Sequence, residues 1–385
     1  MLKNLSNLQS LTRIALTIGC LATLAGYCAA DSSAKTIGPA LSKTQLDALH
    51  QAFEKEFNDQ DLVGFQAAIF DQNQVVSKLN LGYADLEHQV PVITETRFEV
   101  ASITKVFTGL ALLKLEAAGG IDLDAPIQKT VPAFPEKEKG TITPRLLAGA
   151  LGGIRHYNKS ERTPAFYATH YDDVIDSLAL FKEDPLIAKP GERTAYTSYG
   201  YNLLASSIQG AAGEKFEHYV QRTIVEPLGL ADTGFIDVRL PLKHRSRNYS
   251  YIEPLTREVL DHLRNIPRLE HSYNMGGGNM YSSAKDLATL GGQFLKPGFI
   301  QQNILDQLYT PHTTLQGDPT YFSDGWLMNG MDATPRYLFM GGSYPGTLAA
   351  LIVYPDHGVA ISYTANTWGK AGGQTFGPNG SLQRF

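Results

Sequence analysis

Cysteine is nearly absent from this sequence of 385 residues, which contains two cysteines, two tryptophans and ten histidines. Both cysteines, Cys20 and Cys28, lie in an N-terminal stretch that we expect to be removed. The remaining chain would then contain no thiol, which excludes disulfides, thiol redox chemistry and cysteine-ligated metal. The histidines form no H-E-x-x-H motif and no paired metal-ligand spacing. We therefore expect no metal and no cofactor.

Clusters of positive charge are also lacking. The formal net charge is −5, the isoelectric point is near 6.1, and no basic stripe is present, so nothing indicates nucleic-acid binding. The sequence has no G-x-S-x-G motif of the kind that carries the nucleophile in α/β-hydrolases. The glycine-containing stretch 149–153 is not followed by the Lys-Ser/Thr pair that a phosphate loop requires.

Residues 1–30 have the pattern of an export signal. Their only charged residues are basic, an apolar run follows over Ile14–Tyr27, and Cys28-Ala29-Ala30 offers a small-x-small cleavage site. The run is short for a transmembrane helix. We therefore predict an exported protein, periplasmic or secreted, that does not span a membrane. Acylation of Cys28 is the alternative, and the bulky Tyr27 before it argues against a lipid anchor.

Hydrophobic periodicity predicts strands near both ends of the chain and helices between them. The predicted strands cover 63–69, 75–81, 336–340, 348–354 and 359–365. This order predicts an α/β (α+β) fold in which both termini build one antiparallel sheet flanked by helices. The mostly helical middle of the chain would be an inserted lobe. A cleft between sheet and lobe is a common place for a small-molecule site.

The predicted organisation has five parts. They are a signal peptide at 1–30, a linker at 31–44, a sheet lobe at about 45–120 and 280–368, a helical lobe at about 121–279, and a loosely ordered, glycine-rich tail at 369–385. Ser42 and Gln45 have the spacing of a capping box at the start of the first helix. Ser283 is expected to cap another helix, and 275–280 is expected to form a flexible turn.

Ser102-Ile103-Thr104-Lys105 is the strongest chemical signal in the chain. An apolar helix follows it and stops at Gly119-Gly120, so Lys105 would enter a buried helix. Positions i and i+3 share a helical face, which lets the Lys105 amine reach the Ser102 hydroxyl. A serine needs such a base or cation to become a nucleophile, and burial of the lysine would lower its pKa.

Two further stretches could complete a serine hydrolase. Tyr196 precedes a predicted helix, and a phenol near a protonated lysine would have a lowered pKa and could carry protons to a leaving group. Packing among neighbouring tyrosines is the alternative. Gly341-Gly342-Ser343 follows a predicted strand, where glycines let a substrate backbone approach and a backbone N–H could contact an oxyanion. A glycine-rich β-turn is the alternative.

The motifs, in their order along the chain, resemble the serine β-lactamase and penicillin-binding-protein superfamily, and most closely its class C-like branch. The motifs that carry the resemblance are Ala101–Lys105, 131–138, 153–157, Tyr199–Leu204, Glu226–Leu230 and Gly276–Gly278. The resemblance implies an acyl-enzyme formed on Ser102, with Lys105 as base or partner of the base and Tyr196 as proton carrier. It also implies an oxyanion hole from the N–H groups of Ser102 and Ser343, with Ser198, Gly341 and Gly342 contacting substrate.

Three positions depart from the family pattern. Ser198 replaces an asparagine, Met340 replaces a lysine or histidine, and Ala150–Gly153 replaces a stretch with a histidine and a serine. We therefore predict a serine hydrolase acting on amide or ester bonds of a small-molecule or peptide-like substrate, closer to a peptidase or esterase than to a β-lactamase. The alternative is a catalytically weakened relative with a binding or regulatory role. The oligomeric state is left open.

Overall fold

The computed structural model describes residues 40–254, 256, 258–329 and 336–370. The predicted signal peptide, most of the predicted linker and most of the predicted tail lie outside these residues. Export therefore stays a prediction from the N-terminal sequence. No helix within the described ranges is both long enough and apolar enough to cross a membrane.

One large antiparallel sheet forms the core of the fold. Its strands are β1 Gly64–Asp71, β2 Gln74–Asp85, β3 Val90–Pro91, β9 Phe322–Ser323, β10 Trp326–Met328, β11 Leu338–Tyr344, β12 Thr347–Tyr354 and β13 Val359–Ala365, in the order β3-β2-β1-β13-β12-β11-β10-β9. N-terminal β1 pairs with C-terminal β13, so that Phe65 lies opposite Ala365. The predicted fold class, with one antiparallel sheet built from both ends of the chain, is confirmed.

The helices lie between these two groups of strands, except for the first one. They are α1 Lys43–Asp59, α2 Thr104–Ala117, α3 Pro144–Ala148, α4 Ser198–Ala212, α5 Phe216–Val220, α6 Met275–Gly278, α7 Ala284–Gly292 and α8 Gln302–Leu308. A π-helical turn at Gln221–Val225 continues α5. The predicted caps are confirmed: Ser42 and Gln45 form a capping box on α1, and the Ser283 side chain accepts a hydrogen bond from the Asp286 N–H on α7.

Helix α1 covers one face of the sheet. Its buried residues, Leu49 and Phe53, lie on the same side of the helix because they are four positions apart. The Phe53 ring lies 5.8 Å from that of Phe65 on β1 and 6.4 Å from that of Tyr363 on β13. This aromatic contact fastens the start of the described chain to its last long strand.

The other face of the sheet packs against α7 and, beyond it, α2. Gly292 on α7 lies so close to the Phe70 ring that an added Cβ would come within 2.4 Å of it. Helix α2 is buried along nearly its whole length, as its apolar sequence predicts. At Gly109 an added Cβ would lie 1.8 Å from the Asp324 carbonyl oxygen, so the β9–β10 turn rests directly on α2.

Two small sheets complete the fold, and they correct two predictions. One is β4 Phe98–Glu99, β8 Met280–Ser282 and β5 Gly234–Phe235; the other is β14 Thr367–Trp368, β6 Asn248–Ile252 and β7 Val259–Ile266. The β6–β7 hairpin lies in the segment predicted to be mostly helical. It was missed because most β7 side chains are exposed or only half-buried, which leaves no clear apolar alternation. The predicted flexible turn at 275–280 is wrong, since α6 and β8 are ordered, largely buried elements there.

Candidate active site

Ser102 lies in a 3₁₀ turn, Ala101–Ile103, that joins β4 to α2. The preceding residue, Ala101, has φ of +44°, a backbone conformation that is uncommon for a residue with a side chain. Such strain persists only where surrounding packing enforces it, and it often marks functional sites. Ser102 is half-buried between fully buried neighbours, so its hydroxyl lies at the edge of the core and can meet a ligand.

The Lys105 amine is completely buried and contacts three oxygen atoms. Its Nζ lies 3.2 Å from Ser102 Oγ, 3.3 Å from Ser198 Oγ and 2.6 Å from the Gly277 carbonyl oxygen. The predicted contact between Ser102 and Lys105 is therefore present, with the serine one turn before the lysine. Ser198 contacts the lysine directly, where the sequence had suggested only a substrate contact.

Burial lowers the pKa of Lys105 from 10.5 to about 7. The cause is loss of hydration on burial, and no carboxylate among the described residues forms a hydrogen bond with Nζ to oppose it. A neutral amine has two N–H groups that donate and one lone pair that accepts, and the surroundings of Lys105 offer a partner for each. The N–H groups can donate to Gly277 O and Ser198 Oγ, which leaves the lone pair facing the Ser102 hydroxyl. The geometry therefore suits a neutral lysine that accepts the serine proton.

Tyr196 completes the hydrogen bonds of Ser102. Its phenol donates to Ser102 Oγ at 2.8 Å, and its ring centre lies 4.8 Å from Lys105 Nζ. The sequence predicted a lowered pKa for this phenol, and that prediction is wrong. Burial raises the pKa of Tyr196, and this effect outweighs the hydrogen bond with Ser102. The phenol thus stays protonated and can act as a donor, whereas Lys105 is the group poised as a base.

The Gly277 carbonyl that holds Lys105 is positioned through the preceding residue, Gly276. Both backbone polar groups of Gly276 are bound by buried side chains: its N–H donates to Asn202 Oδ1 at 3.0 Å, and Thr108 Oγ1 donates to its carbonyl oxygen at 2.7 Å. Asn202 uses both N–H groups of its amide as well, on Ser177 Oγ and Tyr273 O. Thr108 lies on α2 and Asn202 on α4, whereas Ser177 and Tyr273 lie in short 3₁₀ segments, Asp176–Leu180 and Ser272–Asn274. The sequence showed the glycines but not this function for them.

His156 lies behind Tyr196. Its ring meets the Tyr196 ring edge-on at 6.0 Å, and its Nδ1 accepts a hydrogen bond from the Ser198 N–H at 3.3 Å. Burial, followed by the positive charges of Lys105 and two arginines, lowers the pKa of His156 to about 3. The imidazole is therefore neutral and orients the start of α4. This agrees with the structural hydrogen-bonding role that a lone histidine usually has.

Strand β11 forms another side of the site. Gly341, Gly342 and Ser343 lie within this strand, so the alternative of a glycine-rich β-turn is wrong. An added Cβ on Gly342 would lie 2.0 Å from Val100 O and 3.2 Å from Ser102 N. Gly342 therefore allows β11 to lie against the 3₁₀ turn Ala101–Ile103, called the nucleophile turn below because it carries Ser102. The close partner of Gly342 is thus the chain's own backbone, where the sequence had suggested a substrate. Ser343 Oγ accepts a hydrogen bond from Trp368 Nε1 at 2.9 Å.

Met340 lies on the same strand and is 1% exposed. It packs in the apolar cluster that also contains Val100 and Val106. The β11 side of the site therefore carries an apolar side chain at the position where the family resemblance implies a lysine or histidine. Within the described residues, no group of three histidine, aspartate or glutamate side chains is arranged to hold a metal ion.

The sequence model of the beta-lactamase family matches residues 49–377. The chain belongs to the beta-lactamase family. Its curated relatives include the mitochondrial serine beta-lactamase-like protein LACTB from Homo sapiens, 28% identical over 72% of this chain and 65% of that protein. The Mus musculus protein is 30% identical over 60% of this chain and 56% of its own length. The chain thus spans less than two thirds of the length of these relatives.

Solved structures of the family share the fold. The octameric penicillin-binding protein homologue from Pyrococcus abyssi superposes with a TM-score of 0.72 at 21% identity, covering 88% of this chain and 77% of that one. The D-amino acid amidase from Ochrobactrum anthropi, complexed with L-phenylalanine amide, gives 0.70 at 19% identity, covering 88% and 98%. At these identities the likeness concerns the beta-lactamase and transpeptidase fold alone.

Proposed function

We propose that the protein is a serine hydrolase that cleaves ester or amide bonds through an acyl-enzyme on Ser102. One observation carries the proposal. Ser102 Oγ lies within hydrogen-bond distance of both the Lys105 amine and the Tyr196 phenol, so a base and a proton donor meet at one hydroxyl. This arrangement fits nucleophilic catalysis by a serine with an adjacent general base.

The reaction follows from the protonation states of these three groups. Neutral Lys105 takes the proton of Ser102 Oγ–H, and the oxygen attacks the carbonyl carbon of the substrate. The resulting oxyanion is expected to bind the N–H groups of Ser102 and Ser343. When the tetrahedral intermediate collapses, Tyr196 gives its proton to the leaving group and recovers one from the Lys105 ammonium. Water then attacks the acyl-enzyme and gives a proton to Lys105, which passes it to Ser102 Oγ as the bond to the acyl group breaks and the acid product leaves.

Small-molecule or peptide-like esters and amides are the proposed substrates. Met340 supplies no charge for a carboxylate beside the scissile bond, which favours peptidase or esterase activity over β-lactam hydrolysis. Two structural neighbours are named a D-stereospecific amidohydrolase and a D-amino acid amidase, which supports including amides in the substrate panel. The second candidate, a weakened family member that binds without turnover, is also favoured by Met340.

Covalent labelling separates the two candidates. A fluorophosphonate probe, or a penicillin probe, should label the purified protein, and peptide mapping should place the adduct on Ser102. Ser102→Ala should abolish both labelling and ester hydrolysis. Wild-type protein that takes up no probe, and that hydrolyses a panel of esters and amides no better than Ser102→Ala, would falsify the hydrolase and leave the binding role.

Gly342→Ala is expected to slow labelling by about 10²-fold or more, because a displaced β11 would carry the proposed oxyanion donor, the Ser343 N–H, out of place. A loss of this size is usual when one oxyanion donor is removed. The added methyl group would lie 2.0 Å from Val100 O, so β11 must move away from the nucleophile turn. Gly298→Ala is the matched control, because a Cβ there meets open space. The measurement is the second-order rate of fluorophosphonate labelling. A rate for Gly342→Ala equal to that of the control would show that β11 need not lie against Ser102.

A further inference from the structure

Arg162 is a half-buried arginine for which the described residues supply no carboxylate partner. Most arginines in the described part of the chain form ion pairs. Arg193 and Arg268 also have none there, but both are exposed to water. Arg162 Nε, in contrast, is shielded from solvent and has no hydrogen-bond partner. The side chain as a whole is half-exposed and lies over the Tyr157 ring, so the rest of the guanidinium can be reached from solvent. A guanidinium in this position, with no described carboxylate beside it, can receive an anion.

The carboxylate next to it in sequence is already occupied. Glu161 receives two hydrogen bonds from Arg155, at 2.7 and 3.0 Å, and one from the Asn158 N–H. Arg155 is held further by Asp184, whose carboxylate lies 2.6 Å from Nε. Glu161 is thus turned toward Arg155 and away from its neighbour in sequence. Arg155 thus pairs with two carboxylates, while Arg162 pairs with none of the described carboxylates.

Arg162 is connected to the nucleophile through three aromatic rings. Its guanidinium carbon lies 4.9 Å from the centre of the Tyr157 ring, which lies 3.8 Å from the His156 ring. His156 meets Tyr196, whose phenol contacts Ser102. The charge of Arg162 also contributes to the low pKa of His156, which is consistent with this proximity. A substrate carboxylate bound by Arg162 would therefore be separated by several covalent bonds of the substrate from the carbonyl carbon that Ser102 attacks.

We propose that Arg162 recognises a carboxylate that the substrate carries at a distance from the scissile bond. The proposal rests on the hydrolase function proposed above and adds a substrate class to it: esters or amides with a remote carboxylate. A guanidinium can bind a carboxylate through two parallel hydrogen bonds, which gives both orientation and affinity. Charge recognition would then come from the loop beside Tyr157, and Met340 would leave the β11 side apolar.

The test uses pairs of substrates that differ only in charge. They are p-nitrophenyl half-esters of dicarboxylic acids from adipate to sebacate, each matched with its ω-carboxamide. Wild-type protein should prefer the carboxylate member at one chain length by roughly ten- to hundred-fold in kcat/KM, mainly through KM. Arg162→Gln should bring that ratio close to one, and Arg162→Lys should keep part of it. Arg193→Gln, at an exposed arginine that also lacks a carboxylate partner, should keep the wild-type ratio.

Each outcome decides between the two proposals. If no ester is hydrolysed and Ser102 takes up no fluorophosphonate, the hydrolase proposal fails and this inference fails with it. If esters are hydrolysed without a carboxylate preference at any length, only the role of Arg162 is refuted. The same holds if Arg162→Gln lowers both members of a pair equally, since a merely structural arginine would behave in that way.

Discussion

Lys105→Met is expected to lower kcat/KM for ester hydrolysis by about 10²- to 10⁴-fold at neutral pH, the range that a positioned general base supplies. Methionine keeps a similar length and fits an apolar surrounding, but it cannot accept the Ser102 proton. The substitution leaves Gly277 O and Ser198 Oγ without their donor. Each lost partner costs about 1–3 kcal/mol in a buried place, while removing a desolvated amine offsets part of this. We therefore expect folded protein with little activity.

The matched control is Lys114→Met, on the same helix. Lys114 is half-buried, its pKa is also lowered by burial, and its Nζ lies 4.1 Å from the centre of the Phe299 ring. It has the same chemistry as Lys105 but lies away from Ser102, so its loss should leave kcat/KM within about twofold of wild type. Retention of more than about a tenth of wild-type kcat/KM by Lys105→Met would assign the base function to another group.

Arg245→Ala is expected to lower the free energy of unfolding by about 3–5 kcal/mol, because it removes the arginine from a buried ion pair and leaves the Glu99 carboxylate with His271 alone. Glu99 lies in β4, immediately before the turn that carries Ser102, and is 5% exposed. Arg245 donates to Glu99 Oε1 at 2.7 Å, and His271 Nε2 lies 3.4 Å from Oε2. Chemical denaturation measures the loss. Arg247→Ala removes an exposed arginine that pairs more loosely with Asp85 and Glu87, and it should cost less than about 1 kcal/mol.

The same ion pair makes stability depend on acid pH. Burial alone would raise the pKa of Glu99, but hydrogen bonds and charges from His271 and Arg245 outweigh it and lower the pKa to about 2. The folded protein therefore binds the proton more weakly than the unfolded chain does. This contribution to stability is complete above about pH 4.5 and is lost as the pH falls toward about 2. In Arg245→Ala the pH dependence across this window should be shallower. An unchanged dependence would mean that Arg245 does not hold the Glu99 charge.

Much of the fold could be predicted because apolar periodicity is a local property. Strands β12 and β13 are short runs rich in branched residues, and their hairpin turn contains proline and glycine, so the prediction nearly matches their bounds. The contact between Ser102 and Lys105 could be predicted for the same reason, since one helical turn fixes their separation. Strand β7 was missed because its solvent-facing residues carry no pattern that distinguishes a strand from a polar loop.

The other parts of the site depend on contacts between distant segments. Arg245 lies 146 positions from Glu99, and Gly277 lies 172 positions from Lys105, so no local pattern joins them. The pKa of Tyr196 was predicted with the wrong sign for a related reason. A neighbouring cation lowers a phenol pKa and burial raises it, and the sequence identified the cation without giving the extent of burial. The sequence also could not show that Arg162 differs from the other arginines, because whether an arginine has a carboxylate partner depends on which residues lie near it in the folded chain.

The central claim is that a neutral lysine activates Ser102, and the pH dependence of labelling tests it most directly. The second-order rate of fluorophosphonate labelling at Ser102 should be measured from about pH 5 to about pH 9. Lys105 becomes neutral as the pH rises through its pKa of about 7, so the rate should rise through a midpoint near pH 7 and then level off. Lys105→Met should show a low rate without this step. A wild-type rate that is flat across the range, or the same step in Lys105→Met, would contradict the claim.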